Sequence, residues 1–171
     1  MKRAALSLLL LAGFTWAQSE QVQRGEKLFF ESPKGLPCAT CHQINGKGTP
    51  AGPDLKNIAG ISPRGIVTAV LSSRTMYVVE VESQTGGKFP AIQHGEGPDG
   101  VVLYELTKNQ PVERKLRRAE IKAIRDNMRW KHPPESTGYA PAELADVIAY
   151  IRFATKGITT PVSAADVTKT Q

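Results

Sequence analysis

Apolar and polar positions change period several times along this chain. From Gln21 to Phe30 the pattern is helical, with Gly25 and Phe29 four residues apart and so on one face. Pro141 to Ala154 is the strongest helical stretch. Leu144, Val147, Ile148, Ile151 and Phe153 are assigned to its apolar face with Tyr150 beside it, Pro141 suits the first turn, and Gly157 follows the end. Ile61 to Leu71 reads as another helix. Between them the period drops to two. Met76 to Ser83 alternates and is β-branched, Gly86 and Gly87 supply a turn, and Lys88 to Gln93 and Val101 to Leu106 are further strand candidates. Gly95 to Gly100 marks the hairpin between those two and would leave His94 in a turn. Val112 to Arg125 reads as one more strand followed by a short turn. Ile158 to Gln171 has no periodicity and reads as a flexible tail.

The first residues have a different character. Lys2 and Arg3 precede an apolar run from Ala4 to Phe14, and Thr15-Trp16-Ala17 ends in a small residue. That is the form of a cleaved export signal over residues 1–17, and the run is too short to span a bilayer comfortably. No later segment is apolar enough to cross a membrane. The expected mature chain starts near Gln18 and is exported to a periplasm.

With 171 residues, 40% of them apolar and 22% charged, the chain has the length and balance of one globular domain. Twelve Pro and fifteen Gly predict many loops. The formal charge of +6 is uneven, since Lys108 to Lys131 holds nine Lys/Arg against three Asp/Glu. Nucleic acid is not expected as the partner of an exported protein, so an acidic redox protein is the functional reading of that segment. A solvated face is the plain alternative.

Chemistry concentrates at the two cysteines. They occur as Cys38-Ala39-Thr40-Cys41-His42, the haem attachment pentapeptide. Each thiol adds to one porphyrin vinyl group, the two-residue gap fits the distance between the vinyls, and the next residue lies beneath the ring where its imidazole can bind iron. A thioredoxin-type pair would want a strand-to-helix context, but Pro33 to Pro37 makes a turn here. A zinc site would need two more ligands at paired spacing, and only His94 and His132 remain. No nucleophile has a base beside it, and Gly46-Lys47-Gly48 is too short for a phosphate loop.

Together these motifs resemble class I cytochrome c. The residues that carry the likeness are Gly25-x-x-x-Phe29, Cys38-x-x-Cys41-His42, Gly52-Pro53-Asp54-Leu55 and the run Glu143 to Ile151 (Glu-Leu-Ala-Asp-Val-Ile-Ala-Tyr-Ile). The resemblance implies a mainly α fold over residues 18–156, with terminal helices crossing at Gly25, Phe29 and Tyr150 around one covalent haem c. It implies that His42 is the proximal iron ligand, that the Pro53 carbonyl holds its ring N–H, and that Leu55 packs on the porphyrin. Residues at about 76–126 exceed what the family needs, and resemble a small β-rich, SH3-like insertion found in some bacterial haem-binding cytochromes.

The family binds iron on the distal side with Met, often followed by Pro, about ten residues before the helix's Glu. Met76 precedes the β-like region, and His94 falls in the Gly-rich turn. His132 lies eleven residues before Glu143 and is followed by Pro133; Met128 lies fifteen before it and has the commoner ligand chemistry. Both stay open. The function implied is one-electron transfer, not catalysis. An open distal site for peroxide, nitric oxide or oxygen is the alternative, as is a dedicated haem subunit of an exported dehydrogenase.

Overall fold

The computed structural model describes residues 20–71, 76–85 and 87–168. The expected export signal over residues 1–17 and the Gly86 half of the expected turn lie outside them.

Helix α1 (residues 20–30) is followed by a 3-10 turn at Cys38–Thr40 and a two-stranded ribbon, β1 (Gln43–Ile44) and β2 (Lys47–Gly48). A second 3-10 turn at Leu55–Asn57, begun by the Asp54 side chain accepting from the Lys56 amide, leads to α2 (Pro63–Leu71). Five strands then follow: β3 (Val79–Ser83), β4 (Gly87–Gly97), β5 (Gly100–Glu105), β6 (Val112–Arg117) and β7 (Ile121–Asp126). Short α3 (Pro134–Thr137), long α4 (Pro141–Lys156) and α5 (Ala164–Val167) complete the chain.

The five strands form one antiparallel sheet in the order β6-β5-β4-β3-β7. Alternation sends Val81, Phe89, Ala91, Val101 and Leu103 to one buried face, where Leu116, Ile121 and Ile124 pack against them. The edge strands β6 and β7 carry the charge. Arg114, Lys115, Arg117, Lys122 and Arg125 lie on them, and charged edges resist pairing with another chain. His94 is not in a turn: it lies in β4, where the register with β5 slips between Gln93 and Gly95, and its ring meets Tyr104 edge-on.

The expectation of a mainly α, class I cytochrome c fold is overturned. Helix accounts for 37% and strand for 27% of the structure, and the five-stranded sheet is its largest element. Val112 to Arg125, expected as one strand and a turn, is two strands joined by a 3-10 turn at Arg118–Glu120, and the five strands bonded side by side make a sheet too large for a mainly α fold.

The helices have two cores of their own. In one, α1 crosses α4. A Cβ on Gly25 would lie inside van der Waals contact of the Asp146 carbonyl oxygen, 2.5 Å from its carbon and 2.9 Å from Tyr150 Cβ, so only a bare Cα permits the approach. Phe29 and Tyr150 meet with ring centroids 5.6 Å apart. The Arg24 guanidinium donates to both oxygens of Asp146, at 2.8 and 3.3 Å, which satisfies the one buried carboxylate of α4. Phe153 is 45% exposed, because nine residues beyond Leu144 bring a helix to its opposite face.

The second core joins α2, α4 and α5 through Ile66, Val67, Ala145, Ile148 and Ala149. Val162 and Val167 are buried in it, and the Gln21 side chain bonds both the amide and the carbonyl of Val162. The segment read as a flexible tail is therefore packed through residue 168; spacing alone could not show two valines finding a hole between distant helices.

Candidate haem crevice

A cavity runs between the helical part and residues of the sheet and its loops. It is open to solvent at its mouth and lined mainly by apolar side chains. Helical residues such as Leu55, Ile66, Val70, Leu144 and Ile148 form one wall. The sheet and its loops supply Tyr77, Ile92, Leu106, Lys108, Asn109 and Pro111, and the chain before α4 supplies Trp130, His132 and Pro133.

Cys38 and Cys41 both line the cavity as free thiols at one 3-10 turn. Burial pushes each thiol up to about 11. A redox or metal cysteine pair needs the opposite shift, toward thiolate. At neutral pH these are protonated thiols held beside an apolar space. The Tyr139 hydroxyl, which donates to the Leu28 carbonyl at 3.2 Å, is itself pushed up to about 12, by burial first and by Cys38 beside it.

His42 follows the turn, and its Nδ1 lies 2.8 Å from the Pro53 carbonyl oxygen. A carbonyl only accepts, so Nδ1 carries the proton and the lone pair is on Nε2. Burial lowers the ring's proton affinity, with the Pro53 carbonyl acting against it, so the neutral ring is favoured. Gly52 makes this placement possible. A Cβ there would lie 2.7 Å from His42 Cε1 and 2.8 Å from Nδ1. Sequence reasoning assigned Gly52 no part; its place directly before Pro53 was the only signal.

His132 lies on the same cavity. Its ring and that of His42 are near-parallel, at 29°, with centroids 6.1 Å apart. That is too far for the faces to touch and leaves a gap between two imidazoles. Burial and then the nearby His42 lower its proton affinity against the Val70 carbonyl, and its buried Nδ1 has no hydrogen-bond partner. Trp130 packs on it at 5.3 Å. Met128 does not line the cavity and is 44% exposed; Met76 is 81% exposed. Of the four distal candidates, only His132 is brought opposite His42. Pro53 is outside the lining and Leu55 within it.

The residues present fit a haem c. Two thiols, a neutral imidazole with a free Nε2, a facing imidazole with an unmet ring nitrogen, and an apolar slot between them match its donor set. Most of the rest was illegible in the chain, the sheet's wall above all, because it is assembled from residues far apart in sequence.

No curated protein is matched. The model of the Cytochrome c family matches residues 22–125, more than half of the chain, from α1 into the last strand of the sheet. The chain thus belongs to the cytochrome c family, and with that family's covalently bound haem c and its iron it is a haem-based electron carrier.

Proposed function

We propose that the protein is an exported, single-haem electron carrier whose iron is held from opposite sides by His42 and His132, with Cys38 and Cys41 as the thioether anchors. The observation that carries this reading is the pair of near-parallel imidazoles 6.1 Å apart. Two metal–imidazole bonds of roughly 2.0–2.1 Å in line place the ligating nitrogens about 4 Å apart. Adding the distance from each nitrogen to its ring centre brings the centroids near the observed separation.

Haem c supplies a one-electron ferric/ferrous couple when bound. The chain's own residues do the rest. Pro53 fixes the His42 tautomer, Gly52 leaves room for the ring, Trp130 backs His132, and the apolar lining would exclude water from the bound group. A second imidazole in place of a thioether lowers the reduction potential, which suits a low-potential partner. His132 on the cavity counts against an open distal site.

Export is supported by the residues 1–17 pattern and by the fact that haem c is attached outside the cytoplasm; among the described residues, no helix is long and apolar enough to cross a membrane. The partner reading narrows. Within Lys108–Lys131, five of the nine cations pair with Glu82, Glu96, Glu105 or Glu120. Lys108, Lys115, Arg129 and Lys131 have no carboxylate partner among the described residues; Lys108 lines the cavity, which leaves the other three to meet an acidic redox protein.

The test is spectroscopic. The purified protein should weigh one haem more than its polypeptide and keep its colour through acid–acetone extraction. Its low-spin character should be lost in His132→Ala and kept in Met128→Ala. A methionine–iron charge-transfer band that disappears in Met128→Ala would refute the histidine pair.

A further inference from the structure

Haem c has two carboxylates, on the edge of the ring opposite the carbons that bond the cysteines. Burying a carboxylate is costly unless it is paired or hydrogen-bonded. Partners for them must come from donors on the cavity that the protein has not already used.

Most of its polar groups are committed. Ser136 donates to the Pro133 carbonyl at 2.8 Å, Thr137 to the carbonyls of Pro133 and Pro134, and Tyr139 to that of Leu28. His42 is bonded to Pro53. Two adjacent side chains on the loop between β5 and β6 differ. Lys108 is the sole charged side chain among the described residues lining the cavity, and no carboxylate lies within ion-pairing distance of it. Glu105 feels its charge, but that carboxylate is bonded to Thr107 and Arg114. The Asn109 amide, next to it on the lining, has no hydrogen-bond partner among the described residues. The half-exposed Tyr77 hydroxyl, on the same lining, is likewise unpartnered there.

We infer that the β5–β6 loop is the carboxylate clamp of the crevice, with Lys108 as the cation that positions the haem propionates and Asn109 and Tyr77 as neutral donors beside it. The inference rests on the haem-bound reading above. It gives the sheet a direct part in seating the cofactor: the loop between β5 and β6 carries the one cation among the described residues that line the slot. Lys108 is a positioning residue, which touches the periphery of the cofactor and not its iron.

The experiment uses the full-length holoprotein and four forms: wild type, Lys108→Ala, Lys108→Arg and Lys115→Ala. Lys115 is the control, an exposed and unpaired cation on β6 that does not line the cavity. The ferric-to-ferrous ratio is read at a fixed applied potential, and the propionate bending modes by resonance Raman. Removing a cation from beside the carboxylates favours ferric iron. Lys108→Ala should raise the ratio at least about threefold and shift the propionate modes, Lys108→Arg should restore both, and Lys115→Ala should leave both unchanged. An unchanged Lys108→Ala, or a Lys115→Ala that matches it, overturns the clamp. Wild-type protein without covalent haem would defeat the underlying reading instead, before any variant is compared.

Discussion

Replacing Gly25 with alanine isolates the contact that closes the helical frame. The new methyl would stand 2.5 Å from the Asp146 carbonyl carbon and 2.9 Å from Tyr150 Cβ, where ordinary contacts fall at roughly 3.5–4.0 Å. Both obstacles are backbone or the root of a side chain, so neither can swing away. Helices α1 and α4 must part by about 1 Å, enough to forfeit a quarter to a half of each affected dispersion contact. The Phe29–Tyr150 pair is affected first. Overpacking of this kind costs about 1–3 kcal/mol, occasionally more. Loosening the Arg24–Asp146 pair, whose arginine is 57% exposed, adds about 1 kcal/mol or less. Alanine's better helix propensity offsets at most about 1 kcal/mol. The net loss is about 1–3 kcal/mol, a fall in Tm of roughly 2–12 °C for a chain of this size. Thermal unfolding of the holoprotein followed by far-UV circular dichroism measures it. Gly60→Ala is the control, because its methyl would meet nothing within 4 Å; it should stay within about 0.5 kcal/mol of wild type. A Gly25→Ala variant melting within about 2 °C of wild type would refute the close-approach argument.

Gly52→Ala would drive its methyl against His42, at 2.7 Å from Cε1, so the holoprotein should show a tilted ligand as partial high-spin absorption; an unaltered spectrum would remove Gly52 from the site. Val162→Ala should cost about 1–3 kcal/mol in denaturant unfolding, since Val162 is 3% exposed in the α2–α4–α5 core; no change would restore a loose tail. Lys131→Glu should slow electron exchange with anionic hexacyanoferrate at low salt, and the difference from wild type should shrink as ionic strength rises. Arg117→Glu, whose parent is already paired with Glu120, should do less, and equal effects would leave the segment a solvated face.

The attachment motif could be read from the chain because covalent chemistry fixes its spacing. Strand β3 could be read because Val79 and Val81 alternate with carboxylates, and Gly25 and Phe29 because a helix brings fourth residues together. What escaped depended on partners far away. The Gly-rich stretch around His94 looked like a turn, but β5 supplies hydrogen bonds that draw Gly95 and Gly97 into a bulged strand. The aperiodic residues after Gly157 looked unattached, and Gln21, 141 residues before Val162, holds them. Gly52 had no visible role until His42 was seen against it. The balance of fold class failed for the same reason: strand pairing is collective, and no single strand reports how many others it will join.

The three cores have no residue in common, and the crevice is lined by residues of the two helical cores facing sheet-side residues outside the sheet's own core, such as Ile92 and Leu106. This implies an order of assembly. The proximal half, from Cys38 through His42 to Pro53, closes over a separation of 11 residues, which costs little loop entropy. The distal half must bring His132 to His42 across ninety residues, after five strands have paired. A chain built this way presents its two thiols and first imidazole on an open half-site before the second half folds down.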